Sequence, residues 1–333
     1  MNKHITIPFF IPHEGCPNQC VFCNQHRIAG TSPRTDSAAV REKIVRYTEK
    51  IPSNTTVEAA FFGGSFTALP ISRQTELLHA AWLCRKEGLI SRIRLSTRPD
   101  CIDNATVDLL LRYGVTTVEI GAQSFDNAIL EKSKRGHSRN DILNASSYIT
   151  QAGLELIIQL MIGLPGETAE TIRSSAEAAA SLNPSGIRIY PVLVIADTEL
   201  ESLYRQGSYT PLSLEDAVEY SAELLSFFAS RGINVIRTGI HPMENAGLSV
   251  IAGPYHTSFG FLAKSRVRRN ELETIIMRAE LSSLHGKIKI ALPRTCCEEY
   301  IGDRRSNIDW LSKRFSVHIE YTIMEDIECP KII

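Results

Sequence analysis

The feature that most limits how this chain can fold is a unit repeated from about residue 57, a short β-rich apolar run followed by a stretch of helical periodicity. The runs are VEAAFFGG, IRLSTRPD, TVEIGAQS, LIIQLMIGLP and IRIYPVLVI, with TIPFFIP standing before them. Helical patterns lie between them: SRQTELLHAAWLCRKEG, ATVDLLLRYG, RNDILNASSYITQAG and ETAETIRSSAEAAASL, several closed by the glycine that commonly ends a helix. Strands alternating with helices predict a parallel sheet, because each crossover returns the chain to the same end of the sheet. Near-regular spacing predicts that the sheet curls. The expected fold is α/β, a partial (β/α)6 TIM-like barrel over residues 1–240. Chemistry in such a fold gathers at the C-terminal ends of the strands. HEGCPNQCVFC follows the first strand, GGSF the second, STRPD the third, QSF the fourth and GLPGE the fifth, so all five should share one mouth.

Beyond the repeats, TPLSLEDAVEYSAELLSFFASRG reads as a capped helix, with Ser213 and Asp216 in a loose capping box. Residues 241–286 read as a turn-rich connection and a helix, RNELETIIMRAELSSLHG, and residues 287–333 as a small α+β module. Charge excludes more than it suggests: 36 basic against 37 acidic residues leave no global field, so any contact with nucleic acid must be local. The opening ITIPFFIP holds two prolines and no small-residue cleavage site, which favours a strand over a leader peptide. Nowhere do about 18 apolar residues run uninterrupted, so no membrane partner and a cytoplasmic location are expected.

Cys16, Cys20 and Cys23 are spaced C-x3-C-x2-C, and no fourth cysteine follows before Cys84. A structural zinc wants four ligands, which His13 or His26 could complete. An iron–sulfur cube given only three thiolates keeps one iron open to a cofactor or substrate. A redox-sensing thiol set is the third reading. Cys296 and Cys297 are adjacent, an awkward pair for a relaxed disulfide, and read as ordinary thiols.

The triplet, with Phe22 just before its last cysteine, resembles the radical S-adenosylmethionine (SAM) superfamily. STRPD, VEIGAQSFDNAILEKSKRGHS, GLPGET and IRIYPVLVIADTELESLYRQGSYTPLSLEDAVEY extend the likeness to the radical domain of the Elongator catalytic subunit, which modifies tRNA wobble uridine, and more distantly to oxygen-independent coproporphyrinogen oxidase. The resemblance implies a [4Fe-4S] cluster on Cys16, Cys20 and Cys23. It implies SAM bound near Phe22, Gly63, Gly64, Ser65, Gln123, Arg135 and Gly163, with Arg135 forking to the methionine carboxylate and Gln123 reaching a ribose hydroxyl. It further implies reductive cleavage of SAM, hydrogen abstraction from a substrate, RNA (tRNA) as that substrate, and an electron donor such as flavodoxin or ferredoxin. The plainer readings are a turn at Gly63 and Gly64, a surface arginine at Arg135, a strand cap at Gln123 and a proline turn at Gly163.

The chain departs from the Elongator pattern in four places. Arg188 stands where that family has lysine, Ser96 stands where an acidic residue is expected, CNQHRIAG after the triplet differs, and the 93 residues after 240 are fewer than a typical domain, so an acetyltransferase domain is not expected. In the tail, YIGDRRSNI resembles a KH-type loop with Gly302 present and Arg305 in place of the second glycine, so Gly302, Arg304 and Arg305 are RNA-contact candidates. Tyr190, His241 and His256 are candidates to line the mouth, each with a plainer role in packing or loop hydrogen bonding. Two alternatives to an RNA-modifying enzyme remain at this point, a tetrapyrrole oxidase and a zinc-stabilised, non-catalytic RNA-binding protein.

Overall fold

The computed structural model describes residues 4–11, 16, 18–24, 35–52, 54–240, 249–279 and 286–333. It divides into two compact units, Met1–Leu212 with Gly232–Pro254, and Ser213–Arg231 with Tyr255–Ile333.

In the first unit the strands are β1 (His4–Phe10), β2 (Thr56–Phe62), β3 (Arg92–Thr97), β4 (Thr117–Gln123), β5 (Glu155–Ile162) and β6 (Gly186–Pro191). Between them run α1 (Ser37–Thr48), α2 (Ile71–Lys86), α3 (Asn104–Arg112), α4 (Asn127–Lys132), α5 (Arg139–Gln151) and α6 (Ala169–Ser181). After β6 come β7 (Val194–Ile195), α7 (Glu199–Arg205), β8 (Val235–Thr238) and β9 (Val250–Ala252). The main sheet has the order β1-β2-β3-β4-β5-β6-β8 and is parallel throughout. Seven strands therefore form the curled half-barrel. β8 adds one to the six expected, and IRIYPVLVI breaks into β6 and β7, the latter pairing antiparallel with β9.

Local chemistry starts the helices where the sequence placed them. Asp103 accepts from the Thr106 amide at 2.7 Å to cap α3, and Ser138 with Asp141 closes a full capping box on α5. Each such cap contributes about 1 kcal/mol. One strand face is apolar and buried, through Ile7, Phe9, Ala59, Phe61, Ile93, Leu95, Val118, Ile120, Ile158, Leu160, Ile187 and Ile189. The alternate positions form the concave face and carry Glu58, Arg94, Glu119, Gln159, Arg188 and Tyr190. Its curvature can be measured from side chains: β2 and β6 are four strand steps apart, about 19 Å in a flat sheet. The Arg188 guanidinium nonetheless lies 5.4 Å from the Phe62 ring centroid.

The second unit holds α8 (Leu214–Ala229) and α9 (Phe259–Arg278), followed by β10 (Lys287–Pro293), α10 (Cys297–Ile301), α11 (Ser306–Phe315), β11 (His318–Met324) and β12 (Lys331–Ile332). The tail's expected order of strand, short helix, loop, helix, strand is present, with β11 parallel and β12 antiparallel to β10. Its core is Leu272, Ile276, Ile288, Ile290, Leu292, Tyr300, Ile308, Leu311 and Ile319. Boundaries at 240 and 286 do not describe this unit. α8 buries Ala217, Val218 and Ala222 and is joined to α9 by Arg266, which pairs with Glu215 at 2.6 Å and also with Glu219. The helix α9 begins at Phe259, inside the stretch read as turns.

Candidate active site

The cysteine loop leaves the end of β1 and is tied down on both sides. Val21 donates its amide to Ser133 O at 3.2 Å, and Val21 O accepts from the Leu200 amide at 2.8 Å. Asn24 Nδ2 reaches Ala196 O and Asp197 O at 3.3 and 3.2 Å. Phe22 packs on a buried cluster of Val21, Ile129, Leu164, Val192, Leu200 and Tyr209. Arg135 is not a surface arginine: it is 7% exposed, and its Nη1 donates to Cys20 Sγ at 3.0 Å while Nη2 donates to Gly121 O at 2.7 Å.

Among the described residues no three His, Cys, Asp or Glu side chains are already gathered about a point. The three thiols are nonetheless within electrostatic reach of one another. Burial pushes Cys16 above the usual thiol range and Cys23 up to about 12, so a cationic centre is needed to hold them as thiolates. Three sulfur donors on one loop, with a guanidinium hydrogen-bonded to one of them, fit an iron–sulfur cube with one open iron. His13 and His26, the ligands a zinc would borrow, lie outside the described residues.

The rim residues lie at the ends of their strands, and several are hydrogen-bonded to neighbours there. Ser65 Oγ lies 3.0 Å from Thr97 Oγ1 and accepts from the Arg98 amide at 3.2 Å, which joins the ends of β2 and β3. Gln123 takes a positive φ of 67° at the end of β4 and accepts from Gln159 Nε2 at 3.1 Å. Gly63 has φ +99°, where glycine is unstrained, and a Cβ there would meet the Phe10 ring at 2.6 Å, so the backbone itself favours glycine at this position. Gly64 is half-buried beside it. Gly163 donates its amide to Glu167 Oε2 at 2.7 Å, and its carbonyl accepts from Tyr209 OH at 2.6 Å. Burial pushes the Glu167 carboxyl up to about 8 against the pull of the Leu164 and Gly163 amides.

The reading from sequence missed the ionic floor of the barrel. Glu58 pairs with Arg94 Nη2 at 3.0 Å, and Glu119 lies 3.0 Å from Arg188 Nε without the alignment of a hydrogen bond. Arg94 and Arg188 both approach the Phe62 ring, at 5.3 and 5.4 Å. Burial holds the Glu119 carboxyl above its usual range, opposed by Arg188 and Arg94. Tyr190 is half-buried on the same face, its hydroxyl accepting from Arg188 Nη1 at 2.8 Å. The signal was available: buried parallel strands normally read as continuous apolar runs, and here charges interrupt them at matching registers.

The remaining candidates fall elsewhere. His241 lies outside the described residues. His256, in the second unit, accepts from the Ser258 amide at 3.1 Å, a loop hydrogen bond. Gly302, with φ +78°, has no room for a Cβ, which would fall 2.9 Å from the Asn307 side chain. Arg304 and Arg305 are exposed and left-handed, with φ 48° and 68°, and Arg305 lies 5.4 Å from the Tyr321 ring. All eight cysteines are free thiols.

A curled parallel barrel whose first strand leads into three cysteines on one loop is the framework of enzymes that generate radicals at an iron–sulfur centre. The family model of the Radical SAM superfamily matches residues 10–179, and that of the Radical_SAM C-terminal domain matches residues 184–269. The chain belongs to the radical SAM superfamily. It is a radical SAM enzyme whose cofactors are a [4Fe-4S] cluster and SAM, which removes the non-catalytic zinc reading. It is 35% identical over 187 residues to the tRNA uridine(34) acetyltransferase of Methanocaldococcus infernus, covering 55% of this chain and 34% of that protein. It is 23% identical over 237 residues to the heme chaperone HemW of Bacillus subtilis, covering 70% and 61%. The chain thus spans about a third of the acetyltransferase it matches. An N-terminally truncated archaeal Elp3 from Methanocaldococcus infernus shares the fold with a TM-score of 0.62 at 23% identity, covering 81% of this chain and 64% of that one.

Proposed function

We propose that this enzyme modifies tRNA by abstracting hydrogen from a nucleoside held in the barrel mouth. The observation that carries the reading is the 35% identity over 187 residues to a tRNA uridine(34) acetyltransferase. Once bound, the cluster and SAM supply the radical chemistry. Cys16, Cys20 and Cys23 hold the cluster, and Arg135 orients the thiolate of Cys20 through its Nη1. Gln123 and the loop at Gly163 flank the cofactor, and Gln159, Arg188 and Tyr190 offer hydrogen-bonding groups to a polar base. Flavodoxin or ferredoxin delivers the electron. Among the described residues no helix is long and apolar enough to cross a membrane.

A tetrapyrrole is the second reading, favoured by the wider coverage of the heme chaperone match. Anaerobic reconstitution, iron and sulfide analysis, and incubation with dithionite and SAM decide between them. With unmodified tRNA present, formation of 5′-deoxyadenosine and a mass change in one nucleoside, both abolished by Cys20→Ala, are expected. Cofactor cleavage that consumes a porphyrinogen and leaves tRNA unchanged would establish the tetrapyrrole reading instead. Bound zinc without cleavage would overturn both.

A further inference from the structure

Arg98 does nothing in the roles assigned so far, yet it is among the most constrained side chains at the mouth. Its side chain is 4% exposed. Its Nε and Nη2 fork onto Asp100 Oδ1 and Oδ2 at 2.9 and 3.0 Å, and Nη2 also donates to the carbonyl of Arg135. Arg135 in turn donates to Cys20 Sγ. Nη1 of Arg98 is buried and has no hydrogen-bond partner among the described residues.

The pair is lopsided. Asp100 is 21% exposed, so its carboxylate is partly hydrated while the guanidinium is sealed from water. Burial works against the charge of Arg98, and Asp100 together with Cys20 and Cys16 more than restores it. A buried cation with an unpaired N–H is costly unless an anion completes its surroundings. Beside Asp100, the groups whose charge acts on it are the sulfurs of Cys16 and Cys20, anionic once they hold a metal, and Arg135, whose carbonyl it holds, donates to Cys20 Sγ at 3.0 Å.

We propose that Arg98, anchored by Asp100, is a positioning residue that sets the reduction potential of the cluster by fixing a second positive charge, beside Arg135, next to the cysteine loop. The proposal rests on the reading that Cys16, Cys20 and Cys23 hold a [4Fe-4S] cluster. In the step concerned the cluster takes one electron from an external reductant, no bond is made or broken, and the site gains one negative charge. A fixed cation stabilises the reduced form, and net charge is one of the factors that set such potentials. Asp100 moderates the effect by lending part of its own charge.

The test is a redox titration of anaerobically reconstituted wild type, Arg98→Gln, Arg98→Lys and Asp100→Asn, followed by absorbance and electron paramagnetic resonance, with iron and sulfide measured in each. Expected are a shift to more negative potential in Arg98→Gln, a shift of opposite sign in Asp100→Asn, and a value near wild type in Arg98→Lys. A purely structural arginine would move the two charge variants together or leave both unchanged, and either result overturns the proposal. If Arg98→Gln fails to load iron, Asp100→Asn decides alone: a positive shift supports the proposal and none overturns it. A wild-type chain that takes up no cluster overturns the cluster reading, a failure that iron analysis separates from unchanged potentials.

Discussion

Arg188→Met tests whether the ionic floor holds the barrel together. It removes the guanidinium 3.0 Å from Glu119 while keeping most of the side-chain volume, and the two side chains are only 12% and 3% exposed. Removing one partner of a buried pair costs about 3–5 kcal/mol. Glu119 has one escape, which is to take up a proton. Protonating at pH 7.5 a carboxyl whose unfolded value is about 4.3 costs about 1.4 kcal/mol for each of roughly three pH units, a ceiling of about 4 kcal/mol. Arg94 remains as a weaker partner. A loss of about 2–4 kcal/mol at pH 7.5 follows. The sign of the pH dependence is fixed: burial already raises the Glu119 carboxyl, and loss of Arg188 raises it further. Between its unfolded and folded values the folded state binds more protons, so stability falls as pH rises, and the deficit should shrink by up to about 1.4 kcal/mol per unit on acidification. The chain's two tryptophans, Trp82 on α2 and Trp310 on α11, fall one in each unit. In a Trp310→Phe background, anaerobic urea melts followed by fluorescence therefore report the barrel alone. Adding Glu119→Gln to Arg188→Met should recover most of the loss. A loss under about 1 kcal/mol that is independent of pH would refute the reasoning.

Gly63→Ala should lower stability by about 1–3 kcal/mol, since it adds a Cβ 2.6 Å from the Phe10 ring at φ +99°, whereas Gly88→Ala, at φ +77° with open space around it, should cost about 1 kcal/mol; paired thermal melts compare them. Glu167, with its carboxyl raised to about 8, contributes stability that is present below about pH 4.3 and is lost as pH rises through about 8; Glu167→Gln should flatten the melting temperature between pH 5 and 9. Asn307→Ala removes an Nδ2 group whose two N–H bonds are shared among Ser265 O, Ser265 Oγ, Glu299 O and Tyr300 O at 3.0, 2.9, 3.0 and 3.3 Å, and should destabilise the second unit by about 2–4 kcal/mol, read from Trp310 fluorescence in a Trp82→Phe background.

The strands of the barrel and the triplet at its mouth were legible because their signals are local. A β-rich run with a glycine or proline stop after it, or three cysteines on one loop, needs no knowledge of what lies opposite. Arg98, Asp100 and His137 were not legible, because their meaning depends on partners from other strands. His137 Nε2 lies 3.2 Å from Ala122 O, and burial with Arg135 beside it pushes the ring down to about 3, so it stays neutral near pH 7. β8 was missed for a related reason: INVIRT is short, and only the exposed hydrogen-bonding edge of β6 makes a strand of it. The division into units was hidden because α8 is amphipathic enough to suit either neighbour, and its partner, α9, lies beyond the break in the pattern.

The contact between Gly63 and Phe10 joins the loop that carries the cysteines to the loop after β2, since the ring occupies the space where any larger residue at 63 would place its first carbon. The two positions are therefore coupled through the Phe10 ring. A sequence built on this fold that carries alanine or serine at the position of Gly63 should carry a smaller side chain at that of Phe10, and a chimera that exchanges only one of the two strands between distant members should misfit at this point unless both residues travel together.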